Sequence, residues 1–318
     1  MSKMQAIVTA PEAPGHLIVS QVDVPTPSSS QALIRVLATS LNRGEVRRAL
    51  AAHEQYVPGW DVAGIVDQPA ANGSGPQAGT RVVGLVNSGA WAEFAAVPTD
   101  ALAKLPDRVS FSQAATLPVA GLTALAAVRR GGSLLQRRVL VTGASGGVGV
   151  FAVELARLAG GTVVGLTHHT QYEAVVRQAG ASEVVVGDDA SGAKPFGPYH
   201  LVVDGVGGSV LASAAMLLAP NGRLVTYAAP AGPEITFDSR VLSQAPEVAL
   251  TGLLVFREFK AEAASQGLED LAILVAQERL HPRIEVEAPW ERIGEIARRL
   301  IDRQFPGKAV LLVGQKGH

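Results

Sequence analysis

The stretch Val139-Leu140-Val141-Thr142-Gly143-Ala144-Ser145-Gly146-Gly147-Val148-Gly149 decides the fold. An apolar, β-branched run enters a glycine-rich turn. A helical pattern follows, with Val148, Ala152, Leu155 and Ala159 on one face. Residues 162–167 then read as a second strand. Strand, glycine turn, helix and strand in that order form the context in which such a turn signals dinucleotide binding. Unpaired N–H groups at a helix start point outward, and the helix dipole is positive there, so phosphate settles at that end. Gly146 lets the backbone approach a pyrophosphate, and Gly149 lets the helix pack close to the strand. Ala144 stands where the usual G-x-G-x-x-G has its first glycine. The whole loop, Gly143, Ala144, Ser145, Gly146, Gly147, Val148 and Gly149, is the expected cofactor cradle.

Outward from this loop, strands alternate with helices. Helices are expected at 148–159, 171–179 and 209–218, and strands at 138–142, 162–167, 183–186, 200–204, 223–228 and 248–255. Such alternation implies a parallel sheet covered on both faces, here the six-stranded doubly wound Rossmann fold. Before it, short β-like runs at 6–8, 32–37, 64–67, 81–86 and 92–97 are broken by turn clusters such as Asn72-Gly73-Ser74-Gly75-Pro76. They read as an antiparallel, barrel-like β domain. Beyond 285 an amphipathic helix at 290–301 and a strand at 308–313 return to that first texture. The expected α/β architecture is a catalytic domain of residues 1–115 and 286–318, interrupted by a cofactor domain of residues 116–285. The active site is expected in the cleft between them.

Composition narrows the function. With 318 residues, 27 basic and 28 acidic side chains, and 47% apolar residues, the chain is a globular protein of two domains. No basic run is dense enough for a nucleic-acid footprint. No apolar run reaches the roughly 20 residues that span a bilayer. Met1-Ser2-Lys3-Met4 leads straight into a short apolar run, so no signal peptide is expected and the cytoplasm is the expected compartment. The absence of cysteine excludes disulfides, cysteine nucleophiles and thiolate metal sites.

The end of the second strand bears on the cofactor. A carboxylate there would bind the ribose 2′-OH of NAD. The stretch Gly165-Leu166-Thr167-His168-His169-Thr170 has none. Thr167 can donate a hydrogen bond, and His168, His169 or Arg177 can supply positive charge, so the expected cofactor is NADPH.

Several further stretches combine with this loop: Asn42-Arg43-Gly44-Glu45, Gly59-Trp60-Asp61-Val62-Ala63-Gly64, Gly79-Thr80-Arg81-Val82, Leu117-Pro118 through Ala124, Val203-Asp204-Gly205-Val206-Gly207-Gly208 and Gly307-Lys308-Ala309-Val310. In order and spacing they resemble the medium-chain dehydrogenase/reductase superfamily, within it the quinone oxidoreductase, zeta-crystallin-like branch. The resemblance implies a GroES-like β-barrel domain joined to the Rossmann domain, commonly as a homodimer. It places Asn42 beside the nicotinamide ribose or the substrate oxygen and Thr123 near the cofactor. It sets Val206, Gly207, Tyr227 and Ala228 along the cofactor, and Val255 and Phe256 at the nicotinamide edge. Zinc members of the superfamily carry a Cys and a Gly-His-Glu where this chain has Asn42 and Gly59-Trp60-Asp61, so no metal is expected. Asp61 reads as an anchoring carboxylate. The Lys and Tyr that often grip the 2′-phosphate correspond to Tyr172 and Gly187, and a substrate-facing tyrosine to Arg47. Tyr56 is therefore the candidate proton donor.

Without zinc there is no Lewis acid for a simple ketone. Hydride transfer to a quinone or an α,β-unsaturated carbonyl compound fits, because the developing charge is delocalised. Two alternatives stand beside it. One is an NADP(H)-binding protein with a structural or regulatory role. The other is an enoyl reductase for acyl or polyketide substrates.

Overall fold

The computed structural model describes residues 2–13, 15–261 and 263–314. The chain divides into two compact units, Met1–Leu122 with Phe259–His318, and Thr123–Glu258.

The second unit holds a six-stranded parallel sheet in the spatial order Glu183–Val186, Thr162–Thr167, Arg138–Thr142, Tyr199–Asp204, Leu218–Thr226, Ala249–Gly252. In sequence order this is 3-2-1-4-5-6, the doubly wound arrangement, with its switch point between the first and fourth strands. Val139, Leu140 and Val141 are all fully buried, as are Leu201, Val202 and Val203. Consecutive rather than alternating burial is what a sheet covered on both faces requires. The expected fifth strand at 223–228 ends instead at Thr226, which leaves Tyr227 and Ala228 in the loop that follows. The expected helix at 209–218 stops at Ala215, because Leu218 already pairs with Tyr199. The expected helix at 171–179 opens as the 3-10 turn Thr170–Tyr172 and continues as Glu173–Gln178.

The first unit is the GroES-like β domain. Gln31–Ser40 is its central strand and pairs antiparallel with Asp61–Gln68 and Phe94–Pro98. Asp61–Gln68 also pairs with Arg81–Leu85, which pairs with Leu102–Lys104. The end of the chain joins this sheet, because Lys308–Leu312 pairs with Gln31–Ser40 on one side and Ile284–Pro289 on the other. The helix Ile293–Ile301 buries Ile293, Ile296, Ala297 and Leu300 in the same core as Ile34, Val62 and Trp91. That i, i+3, i+4, i+7 spacing is one face of a helix.

The units divide after Leu122 and Glu258 rather than at 115 and 285. The helix Ala264–Ala276 lies in the first unit. It buries Leu268, Leu271 and Ala272 in the first unit, where Leu271 Cδ1 lies 2.9 Å from the place a Cβ would take on Gly121. Apolar periodicity marks such a helix but does not say which sheet it covers. Among the described residues no helix is long and apolar enough to cross a membrane.

Candidate functional site

The glycine loop closes on itself before the helix Gly147–Leu158 begins. Gly146 N–H donates to Gly143 O at 2.9 Å, and Ala144 N–H donates to Leu166 O at 3.0 Å, tying the turn to the second strand. Gly146 is the helix N-cap, in extended conformation. The first turn of a helix leaves N–H groups without intrahelical partners. A Cβ on Gly149 would lie 2.2 Å from Gly143 O and 2.8 Å from the Ala144 backbone, so only glycine fits there. A Cβ on Gly146 would meet only Gly143 O, at 3.2 Å, and otherwise open space. One glycine is thus a packing requirement and the other a vacancy beside the helix start. This cradle fits a dinucleotide pyrophosphate.

Asp204, fully buried at the end of the fourth strand, organises the neighbouring strand ends. Its Oδ1 accepts from Thr142 Oγ1 at 2.6 Å, and its Oδ2 accepts from Thr226 Oγ1 at 2.9 Å and from Gly207 N–H at 3.1 Å. One carboxylate therefore fixes the carboxyl ends of the first, fourth and fifth strands, where a doubly wound sheet binds its ligand. Val206 Cγ2 reaches within 3.2 Å of the Cβ position on Gly143, so the two expected cofactor loops meet. The Tyr227 hydroxyl lies 2.0 Å from the Cβ position on Gly205, which holds that residue to glycine. Burial, then the Asp204 carboxylate, pushes the Tyr227 phenol well above its usual range, so it stays neutral. Thr123 and Val255 are buried in this unit, and Ala228 is exposed. Phe256 is half-buried on the helix Val255–Ala261. The signal for the role of Asp204 is local, since a carboxylate directly following Leu201-Val202-Val203 has few ways to be buried unless it is hydrogen-bonded.

The second-strand end differs in detail from the expectation. Thr167 is buried, and its hydroxyl lies 3.1 Å from Ser145 Oγ. It therefore links the glycine loop to the second strand. His168, His169 and Arg177 are exposed.

On the first unit, Asn42 and Asp61 belong to a buried polar cluster. Asn42 caps the helix Arg43–Leu50, and its backbone N–H donates to Glu45 Oε1 at 2.7 Å. Its side-chain amide nitrogen donates to Glu45 Oε1 at 3.0 Å and to Asp61 Oδ2 at 2.7 Å. Its oxygen accepts from Lys308 Nζ at 2.6 Å. An ammonium only donates, so Lys308 fixes which way the amide is turned. Both amide hydrogens are thereby engaged, and toward a ligand the side chain of Asn42 offers an acceptor lone pair.

Asp61 is fully buried, and its Oδ2 also accepts from Ser40 Oγ at 2.5 Å while its Oδ1 accepts from Val119 N–H at 2.9 Å. Lys308 Nζ, almost as buried, donates to Leu41 O at 3.0 Å and lies 3.5 Å from Asp61 Oδ2. Three donors on one nitrogen describe an ammonium. Burial lowers its pKa, and the Asp61 and Glu45 carboxyls act the other way. Glu45 is pushed well above the usual carboxylate range, by burial first and by Asp61 next. Its Oε2 is buried without a partner, whereas Oε1 accepts two N–H groups. Burial beside Asp61 thus favours the neutral form of Glu45 over its charged form.

Arg48 Cζ lies 5.8 Å from the Tyr56 ring centroid. Burial raises the Tyr56 pKa, Arg48 opposes the rise, and Glu45 adds to it. Its backbone is pinned to Thr9, which donates to Tyr56 O at 3.0 Å. The Trp60 ring lies over Gly44, 3.1 Å from the Cβ position there. Ser40, Glu45 and Lys308 were not assigned as cluster members by sequence reading. Lys308 lies 266 residues from Asn42 along the chain, and only strand pairing brings the two together.

Residues 28–107 match the family model described as Alcohol dehydrogenase GroES-like domain, and residues 147–270 the one described as Zinc-binding dehydrogenase. The chain belongs to the medium-chain dehydrogenase/reductase superfamily, in its zeta-crystallin-like quinone oxidoreductase branch. It is 29% identical over 311 residues to the chloroplast envelope quinone oxidoreductase homolog of Arabidopsis thaliana, covering 92% of each chain. The structure of the quinone oxidoreductase from Coxiella burnetii matches with a TM-score of 0.82 at 26% identity, over 98% of this chain and 100% of that one. A mycobacterial protein solved in complex with NADPH matches with a TM-score of 0.86 at 27% identity, over 97% and 99%. The donor set around Asp61 does not fit a zinc ion. Both of its oxygens are committed to Ser40, Asn42 and Val119, its neighbours are an amide, an ammonium and an indole, and the chain has no thiolate.

Proposed function

We propose that this protein is an NADPH-dependent oxidoreductase that reduces quinones or α,β-unsaturated carbonyl compounds without a metal. The observation that carries the reading is the second unit's cradle. A helix start with a vacant Gly146 stands beside strand ends locked by Asp204, all at the carboxyl edge of a doubly wound sheet. The branch to which the chain belongs, and the relative solved with NADPH, support the choice of cofactor. Bound NADPH supplies a hydride from its nicotinamide ring. Gly146 and the first N–H groups of the helix would hold the pyrophosphate. Val206, Gly207, Tyr227 and Ala228 would line the rest of the cofactor.

Reduction leaves negative charge on the acceptor's oxygen. Asn42 has no amide hydrogen left to stabilise it, and its lone pair suits a hydroxyl such as that of a ribose. Tyr56 carries a neutral phenol able to donate a hydrogen bond or a proton. Such donors contribute a few kcal/mol each, enough for a delocalised enolate or quinol and little for an isolated ketone. Tyr56→Phe should lower kcat by about tenfold or more with KM little changed. An unchanged kcat would assign the proton to water and Tyr56 to packing.

The direct test is NADPH oxidation in the presence of a chelator against quinones, alkenals, cyclic enones and enoyl thioesters. Quinones or free enones should turn over, and simple alcohols should not be oxidised with NADP⁺ at a comparable rate. Faster oxidation of ethanol or benzyl alcohol than reduction of any acceptor would defeat the proposal, and so would activity that requires added zinc. Thioesters are in the panel for a specific reason. Arg43 Nε is buried without a hydrogen-bond partner, and burial, then Arg303 and Arg47, lower the Arg43 pKa to about 10. A guanidinium held beside Arg303 and Arg47 favours an anionic ligand, and exclusive activity on phosphate-bearing thioesters would move the reading to an enoyl reductase.

A further inference from the structure

The residue that opposes a 2′-phosphate need not lie at the end of the second strand itself. Thr162–Thr167 pairs in parallel with Glu183–Val186, and Val186 stands opposite Thr167. Gly187 N–H then donates to Thr167 O at 3.1 Å, so the turn after the third strand runs alongside the turn after the second. This brings Asp188 Oδ1 to 2.6 Å from His168 Nδ1. The His168 ring packs edge-on against His169 at 4.5 Å between centroids, and His169 packs against Tyr172 at 5.9 Å. The Asp188 side chain is 86% exposed and that of His168 56% exposed. The pair is thus no core contact. It stands in solvent at the strand end where a doubly wound fold places the adenosine ribose.

We propose that Asp188 determines the cofactor specificity of this protein, by occupying the His168 imidazole and by placing a carboxylate where a 2′-phosphate would sit. The inference rests on the dinucleotide reading of the glycine loop. A 2′-phosphate that takes His168 Nδ1 as its donor must displace Asp188 from it, and one bound at either ring nitrogen remains beside the Asp188 negative charge. The 2′-hydroxyl of NADH meets neither obstacle, and Asp188 can accept a hydrogen bond from it. The preference for NADPH is therefore held narrow by a residue twenty positions beyond the histidine it restrains.

Asp188→Asn tests this, because the amide oxygen still accepts from His168 while the charge is gone. Titration calorimetry on the full-length protein should show NADPH binding about fivefold more tightly than in the wild type. NADH should change less than twofold, or weaken. The gain should shrink at high salt, and 2′,5′-ADP, which carries the same phosphate without the nicotinamide, should show it too. Adding His168→Ala to Asp188→Asn should remove the part of the gain that the imidazole supplies and leave the part that comes from the lost carboxylate charge. An unchanged NADPH-to-NADH ratio in Asp188→Asn, or equal shifts for both cofactors, overturns the proposal while leaving dinucleotide binding intact. A wild-type protein that binds neither cofactor overturns both readings together.

Discussion

Replacing Lys308 by Met should destabilise the first unit by about 3–5 kcal/mol, the cost typical of removing one partner from a buried ion pair. Asp61 is fully buried, and Lys308 Nζ is the cation near it, 3.5 Å from Oδ2. The same nitrogen satisfies Leu41 O and Asn42 Oδ1, so the substitution strands a carboxylate and two acceptors at once. Denaturant unfolding should show the loss. Asp61→Asn placed on Lys308→Met removes the stranded charge and should recover part of it, whereas further loss in the double variant would show that the charge pair is not the source. Glu45→Gln behaves differently. The folded-state pKa of Glu45 is raised, so between the ordinary carboxylate range and that higher value the unfolded chain has released a proton that the folded protein keeps. Stability then falls as pH rises across that window. The glutamine variant, resembling the neutral acid, should flatten that slope and stay close to wild-type stability at neutral pH.

The parallel sheet was legible because its signals are local. Val139-Leu140-Val141-Thr142 followed by the glycine loop, and five more apolar runs at regular intervals, identify strands without knowledge of their partners. The cofactor loop was legible for the same reason. What escaped were contacts that chain distance hides. Lys308 reaches Asn42 only through the pairing of Lys308–Leu312 with Gln31–Ser40, and Asp188 reaches His168 only because the second and third strands lie side by side in register. Thr167, expected to donate a hydrogen bond toward the cofactor, is buried with its hydroxyl 3.1 Å from Ser145 Oγ, because its strand is covered on both faces. Residues 165–170 carry no carboxylate, and the acid beside them, Asp188, comes from the turn after the neighbouring strand. An acid delivered by the neighbouring strand serves the same electrostatic purpose.

Gly146→Val should weaken NADPH binding by about a hundredfold or more while the fold persists. The two outer effects separate at this position and not at its neighbours. Gly146 is extended, with φ at −77°, a conformation open to any residue, so valine brings no backbone strain. Its Cβ would sit 3.2 Å from Gly143 O, a contact that a small shift of the turn relieves. Replacing the glycine N-cap costs at most about 1 kcal/mol, and the helix behind it is held by Val150, Phe151, Val153 and Leu155, all buried. The branched side chain must then project into the open space beside the helix start, where the pyrophosphate and the N–H groups of the first turn would meet. Gly149→Ala is the contrasting case. Its Cβ would press to 2.2 Å from Gly143 O, so that variant should lose thermal stability together with binding. Calorimetry and thermal melts on the two variants separate a lost ligand from a lost fold. A Gly146→Val protein that binds NADPH with wild-type affinity would mean that the phosphates lie elsewhere. One that unfolds like Gly149→Ala would mean that the vacancy beside the helix start is a packing requirement after all.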